Sequence, residues 1–180
     1  MSKWMMVLAT SLLWTNVALA GTTIEGKPKV VFHAEGSPGF LTFDGTTRDL
    51  TLKDEGTTLV FTVPMDTVET GIGLRDQHMR EKYVETATYP NVVLTLAKDH
   101  IQWPEAGTVN GEVTAKFEAH GVELDVPVKY SIKRSKDLYK IKASFPFDTT
   151  KHGIEIPTYL GVTIKPAMTA DVTVDLRDAS

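Results

Sequence analysis

The chain has 180 residues, of which 42% are hydrophobic and 23% charged, so the composition favours one folded domain over a disordered chain. The formal net charge is −4 and no cluster of lysine or arginine offsets it, which argues against a nucleic-acid-binding protein. Cysteine is absent, so disulfides and thiol catalysis are excluded.

Residues 1–20 have the features of a secretory signal in the usual order. Lys3 supplies a positive region, residues 4–14 are mostly apolar, and Ala18-Leu19-Ala20 has the small-x-small form of a cleavage site. This order favours a signal over a buried N-terminal helix. The apolar run is shorter than the ~20 residues of a membrane span. We therefore expect a secreted, periplasmic protein without stable membrane insertion, whose single domain occupies residues 21–180.

Two neighbouring segments alternate between apolar and polar residues. In residues 109–119 the apolar or small side chains share one parity, and residues 122–132 repeat the pattern. Because successive side chains of a strand point to opposite faces, each segment predicts a strand with one buried face. His120-Gly121 between them fits a two-residue hairpin turn, in which glycine supplies a positive φ.

Similar alternation, less regular in places, marks the remaining strands. It is found at residues 29–34, 40–52, 59–65, 92–101, 139–147 and 168–176. Turn-rich pieces separate these runs. The sequence therefore predicts an all-β fold of about eight antiparallel strands. A barrel is favoured over a sandwich because closure removes the unpaired strand edges.

Residues 74–84 do not alternate and are rich in helix formers. Arg75, Met79 and Tyr83 lie four residues apart, which places them on one face of a helix. Tyr89-Pro90 closes the segment. We predict one short helix in a crossover between two strands.

Several motifs, taken in order, resemble those of the YceI-like, or polyisoprenoid-binding, proteins. They lie at residues 30–33, at 39–45 (G-x-x-x-F-x-G), at 67–71, at 75–78 (R-D-x-H), and at 89–90, 109–113, 120–122, 153–154 and 172–174. No single piece is specific, but the ordered set spans most of residues 29–178.

The resemblance implies an eight-stranded, lipocalin-like barrel with a helix at one end. Its elongated apolar cavity would take an isoprenoid chain, a quinone tail or a similar amphiphile. Two segments depart from the family pattern. Lys82-Tyr83-Val84-Glu85 stands where paired phenylalanines often follow the helix motif, and residues 151–165 resemble a divergent subgroup.

Inward-facing parity positions are where such a ligand would bind. The candidates are Phe43, Phe61, Ala115, Phe117, Tyr130, Phe145 and Phe147. Burial of a prenyl chain against them would contribute ~25 cal/mol per Å² of apolar area. The alternative is a barrel whose aromatic rings fill the interior completely. The family resemblance favours a cavity.

Arg75, Asp76 and His78 form the densest polar cluster of the sequence. One interpretation is a polar cap at the barrel mouth, where Arg75 and His78 meet a ligand head group through charge-assisted hydrogen bonds. The other is structural, with Arg75 and Asp76 tying the helix end and its loop to the barrel. We favour the structural interpretation, since adjacent residues of a helix face different directions.

No motif indicates catalysis or a metal site. The five histidines form neither an i, i+4 pair nor H-E-x-x-H, and we expect His100 and His120 to be solvated. No serine lies in G-x-S-x-G. We expect no catalytic residue, no metal, and no cofactor other than a bound isoprenoid or quinone lipid.

These observations predict an exported, non-enzymatic carrier whose partner is an apolar, lipid-like small molecule. Two alternatives come from other classes. One is a packed barrel that acts through its surface as a stress-response or respiratory-chain module. The other is an enzyme that uses the region of Asp76 and His78. The oligomeric state stays open, a homodimer included.

Overall fold

The computed structural model describes residues 21–38, 41–159 and 161–177, and the predicted signal segment lies outside them. Antiparallel strands dominate these residues. In chain order they are β1 (Thr23–Ser37), β2 (Thr42–Thr47), β3 (Thr51–Asp54), β4 (Thr58–Pro64), β5 (Asn91–Ala97), β6 (Gly107–Ala119), β7 (Val122–Ser135), β8 (Leu138–Asp148), β9 (Thr158–Tyr159), β10 (Val162–Ile164) and β11 (Ala167–Arg177).

The strands close into a barrel at β1. Neighbours pair in the order β3-β4-β5-β6-β7-β8-β11-β1. On its other side β1 pairs with β2, with Val30 opposite Thr47, and β2 leads directly into β3. Because β2 and β3 act as one interrupted strand, the ring contains eight strands among the described residues. This confirms the predicted all-β, lipocalin-like fold.

The break between β2 and β3 corrects the prediction of one continuous strand over residues 40–52. β2 pairs with β1, whereas β3 pairs with β4. The crossover that follows β4 pairs with β2. Thr46 of β2 and Glu69 of the crossover exchange two backbone hydrogen bonds of 2.8 and 3.0 Å. Thr47 Oγ1 also lies 2.7 Å from Thr67 Oγ1. The strand pairing is therefore interrupted at this corner, where the crossover pairs with β2.

The predicted helix is confirmed as α1 (Gly73–His78), which continues into one turn of π-helix at Met79–Tyr83. It lies across one end of the barrel, here called the open end; the opposite end is the closed end. The face predicted to carry Arg75, Met79 and Tyr83 points into the interior. Among the described residues, none of the helices has the length and hydrophobicity that a membrane span requires.

Burial along β6 and β7 follows the predicted alternation. The buried positions are Val113, Ala115, Phe117, Ala119, Val126, Val128, Tyr130 and Ile132. The exposed positions of β6 between them carry polar residues. The turn that joins these strands has φ 51° at His120 and φ 74° at Gly121, two positive values of the kind a type I′ hairpin turn requires.

Asp54 joins three chain segments at the closed end. It accepts hydrogen bonds from the backbone N–H of Thr22 (2.7 Å) and Gly56 (2.9 Å), and it forms an ion pair with Lys98. Burial acts to raise the pKa of Asp54, but the hydrogen bonds from Lys98, Thr22 and Gly56 outweigh it and lower the pKa below its ordinary value of 3.8. This side chain holds the start of β1 against the β3–β4 turn.

The chain between β8 and β11 extends the wall at the open end. A 3₁₀ turn at Thr149–His152 leads into the small hairpin of β9 and β10. This hairpin pairs with the end of β1, where Gly36 lies opposite Ile164. The alternation in the sequence did not predict this hairpin.

Candidate functional site

The barrel interior holds two cavities. The larger has a volume of about 610 Å³ and reaches the surface at the open end. The smaller, of about 80 Å³, lies toward the closed end. Among the described residues, only Phe32, Val92 and Phe117 line both. These three side chains therefore mark the boundary between an open half and a packed half of the lumen.

A layer of aromatic rings forms this boundary, here called the aromatic layer. The ring of Phe117 lies 5.1 Å from those of Phe145 and Phe147, and Phe32 packs edge-on at 6.3 Å from Phe147. Phe117 is only 2% exposed. Such offset and edge-to-face contacts are the stable arrangements of aromatic side chains. The lumen thus combines the two predicted alternatives, a cavity in one half and packed rings in the other.

His152 packs against the aromatic layer from outside the larger cavity. Its side chain is fully buried, and Nδ1 donates a hydrogen bond to the Val122 carbonyl at 2.9 Å. Its ring packs edge-on at 5.3 Å from Phe117. Nε2 is buried without a hydrogen-bond partner in the described part of the chain. Because it does not line the larger cavity, we assign His152 a packing role.

Exposed large apolar side chains surround the mouth of the larger cavity. They are Leu41, Ile72, Leu74 and Ile156, exposed by 47%, 55%, 57% and 38%. The first three line the cavity, and Ile156 precedes Pro157, which also lines it. We call these four residues the apolar rim. Clustered exposed apolar surface marks a place where an apolar partner or ligand meets a protein.

Thr70 connects the predicted polar cluster to the barrel mouth. Buried Asp76 accepts hydrogen bonds from the backbone N–H of Thr70, at 2.8 Å, and from its hydroxyl. Arg75 donates from Nε to Thr70 Oγ1 at 2.8 Å and from Nη2 to the Thr70 carbonyl at 2.6 Å. Asp76 therefore has the structural role that the sequence favoured.

Arg75 has a second environment. Its guanidinium carbon lies 4.3 Å from the centre of the Phe43 ring, and both side chains line the larger cavity. His78 lines the same cavity. The structure thus places a cation and an imidazole beside an apolar space.

His120 also lines the larger cavity and is not solvated as predicted. Its Nε2 lies 2.8 Å from a carboxylate oxygen of Glu85, and its ring lies 4.1 Å from that of Tyr89. The prediction was wrong because a turn residue is usually exposed, whereas this turn packs against the chain that follows α1.

Five of the predicted ligand-binding residues are brought together around the larger cavity: Phe43, Arg75, His78, Phe117 and Phe147. Phe61 and Tyr130 line the smaller cavity, beyond the aromatic layer, and Phe145 of that layer lines the smaller cavity as well. Ala115 is buried and lines neither. Small residues of the lumen do not always leave space, since a Cβ at Gly111 would overlap Tyr130 Oη.

Sequence reasoning missed much of the cavity wall. The missed residues include Met65, Val68, Ile72 and Leu74 of the crossover, and Ile154, Val162 and Ile164 after β8. Most lie outside long strands, where a period-two search finds nothing. The short alternation of Val162 and Ile164 around Thr163 was the signal that could have found the second group.

On the outer wall of the barrel, a histidine lies between two carboxylates. His33 Nδ1 lies 2.7 Å from Asp44 and Nε2 lies 3.2 Å from Asp171. Asp44 is therefore engaged by His33 on the outer wall, whereas Asp76 is engaged by Thr70. In the described ranges no three His, Asp or Glu side chains are grouped so as to hold a metal.

The closed antiparallel ring, the helix across one end and the apolar space beneath it define a lipocalin-like β-barrel. Within that class, the model of the YceI-like domain family matches residues 22–177. Because the match covers most of the chain, the protein belongs to the YceI-like domain family. A comparison of the sequence with curated proteins gave no significant match.

Solved structures agree with this fold. A polyisoprenoid binding domain from Saccharophagus degradans superposes with a TM-score of 0.75 at 15% identity, over 88% of this chain and 99% of that one. BcnA of Burkholderia cenocepacia gives 0.59 at 13% identity, over 81% and 95%. A YceI protein of Campylobacter jejuni gives 0.51 at 14%, over 97% of both chains. At these identities the likeness concerns the fold.

Proposed function

We propose that the protein is an exported, non-enzymatic carrier that holds an isoprenoid or quinone-like lipid in the open half of its barrel, in the periplasm. The main observation that supports this proposal is the apolar cavity of about 610 Å³, whose mouth is surrounded by the apolar rim. Family membership supports it, since a related fold from Saccharophagus degradans is described as polyisoprenoid binding.

The dimensions and lining of the cavity suit this role. Sites for small ligands commonly have volumes of ~300–1,000 Å³ and mostly apolar walls with a few polar groups. The polar groups here lie at the mouth, in Arg75, His78 and Thr70, while Phe32, Phe117 and Phe147 line the deep part. An amphiphile would therefore bind with its tail on the aromatic layer and its head near α1, and each buried CH₂ would contribute ~0.8 kcal/mol.

The experiment is native mass spectrometry of protein purified from its own host, followed by extraction and analysis of bound lipid. We expect a mass increment that disappears on organic extraction and a lipid with an isoprenoid or comparable chain. A matched variant, Ala119→Trp, fills the larger cavity from β6 and should be purified without the lipid.

Protein that folds normally, carries no extractable lipid and takes up no added lipid would contradict the carrier function. That result would favour the surface-acting module, for which the packed half of the lumen provides a stable scaffold. An Ala119→Trp variant that retained the lipid would place the ligand outside the cavity.

A further inference from the structure

The charged and titratable side chains that line the larger cavity are all basic or neutral. They are Arg75, His78, His120 and Tyr83. No aspartate or glutamate of the described residues lines this cavity. The chain as a whole carries more acidic than basic residues, so the composition of the lining differs from that of the surface.

Arg75 is positioned to act on a ligand. Its two hydrogen bonds to Thr70 use two of the five N–H groups of the guanidinium. It forms no ion pair with any carboxylate of the described residues. Asp76 lies behind Thr70, buried and outside the cavity lining, so its carboxylate does not occupy the cavity side of Arg75.

The Thr70 contacts and the Phe43 ring hold the guanidinium in one place. A fixed planar fork beside an apolar space suits an acceptor that carries negative charge, because such a group forms short, charge-assisted hydrogen bonds with arginine. Of the two histidines in the lining, His120 is already engaged by Glu85, and an imidazole such as that of His78 is a cation only when it is protonated. A guanidinium is always charged, so Arg75 is the principal anion donor of the mouth.

We infer that the ligand has an anionic head group, a carboxylate or a phosphate monoester, which Arg75 binds at the cavity mouth. This inference rests on the proposed function and narrows it. Among lipids with isoprenoid or similar chains, it selects acids and phosphates over neutral quinones and alcohols.

The test compares ligands with the same chain and different heads. Tetradecanoic acid, tetradecyl phosphate and 1-tetradecanol are each used to displace a neutral fluorescent probe, N-phenyl-1-naphthylamine, from the full domain at pH 8. Since a hydrogen bond to a charged group contributes ~1.5–3 kcal/mol, at least one anionic ligand should bind roughly tenfold more tightly than the alcohol. Whichever of the two anions binds more tightly identifies the head-group chemistry.

Variants then assign the preference to Arg75. Arg75→Gln should lose the preference for the anionic ligands over the alcohol, and Arg75→Lys should retain part of it. Arg134→Gln, at the other end of the barrel beside Tyr139, is the matched control and should behave as wild type. If Arg75→Gln does not fold, the salt dependence of binding to the wild type tests the inference. A preference for the anionic ligands that is due to charge must decrease when the salt concentration rises from 20 to 500 mM.

The outcomes separate the inference from the proposed function. Equal binding of all three ligands, a preference independent of salt, or a preference that survives Arg75→Gln would overturn the anionic head group and leave the lipid carrier intact. Failure of all three ligands to displace the probe would overturn both.

Discussion

His33 lies between the carboxylates of Asp44 and Asp171 on the outer barrel wall. Partial burial acts to lower its pKa, but hydrogen bonds and charge from Asp44 and Asp171 outweigh burial and raise the pKa above the ordinary value of 6.5. The three side chains come from β1, β2 and β11, so a protonated His33 ties the interrupted strand to the ring.

The raised pKa predicts how stability depends on pH. A group with a raised pKa in the folded state stabilises the fold fully below its unfolded pKa, and this contribution is lost as the pH rises through the folded value. His33→Gln should therefore reduce the free energy of unfolding at pH 5.5 by roughly 0.2–1 kcal/mol, since the cluster is solvent-screened. The loss should shrink by pH 8.5.

Urea unfolding at the two pH values measures this effect. His100→Gln is the control, because His100 is exposed and forms no ion pair within the described ranges. A His33→Gln deficit of equal size at both pH values would show that the carboxylates do not hold a protonated imidazole.

At the scale of elements, the carboxylate of Asp54 links three chain segments at the closed end. Asp54 has a lowered pKa, so its contribution to stability is present above the ordinary value of 3.8 and is lost as the pH falls below that value toward the folded pKa. Asp54→Asn should lower the free energy of unfolding by about 1.5–3 kcal/mol at pH 7, because hydrogen bonds to a buried charged group are replaced by weaker ones.

Thermal or urea unfolding at pH 7 and pH 3 tests this prediction. The difference between wild type and Asp54→Asn should narrow at pH 3. Asp49→Asn, an exposed carboxylate in the loop between β2 and β3, is the matched control and should change stability little at either pH. A larger Asp54→Asn deficit at pH 3 would contradict the assignment.

The aromatic layer sets the depth of the open cavity. Phe117 lines both cavities, so Phe117→Ala would join them, at a cost of about 3–5 kcal/mol in stability. In the wild type, affinity for a series of n-alkyl amphiphiles should rise with chain length and then level off when the chain reaches Phe117. In Phe117→Ala the rise should continue to longer chains.

Isothermal titration across chain lengths measures the plateau. Phe61→Ala enlarges only the smaller cavity and should keep the wild-type plateau, which makes it the matched control. Phe117→Leu, a milder change, should shift the plateau less than Phe117→Ala. Identical plateaus in the wild type and Phe117→Ala would mean that the chain does not reach the aromatic layer.

At the scale of the whole molecule, the proposed function predicts that a ligand enters the larger cavity past the apolar rim. Leu74 and Ile72 are more than half exposed, so serine at either position should change stability by less than about 0.5 kcal/mol. Leu74→Ser combined with Ile72→Ser should slow uptake of an alkyl ligand from vesicles several-fold. The reason is that the entering alkyl tail would contact fewer apolar side chains at the mouth of the cavity. Stopped-flow fluorescence measures this rate.

The control for the rim is Glu105→Ser, in an exposed loop at the closed end. It should leave uptake unchanged. A double rim variant with wild-type uptake would locate the route elsewhere in the barrel wall.

The sequence predicted the barrel but not its division into two halves. Alternation in β6 placed Phe117 inward because the period of two is a property of the extended backbone. Parity does not encode depth, however, and Phe61 and Phe43 share an inward position yet line different cavities. The wall at the open end comes from the crossover and the β9–β10 hairpin, whose positions depend on long-range pairing.

The aromatic layer separates the deep part of the larger cavity from the packed half of the lumen, and the exposed side chains of its lining lie at the open end. A guest that enters tail first has its polar end nearest to solvent throughout its stay, and it must leave in the reverse order. Under the proposed carrier function, an acceptor would therefore contact the polar end of the ligand before the tail leaves the cavity, and transfer would require no break in the strand pairing of the barrel.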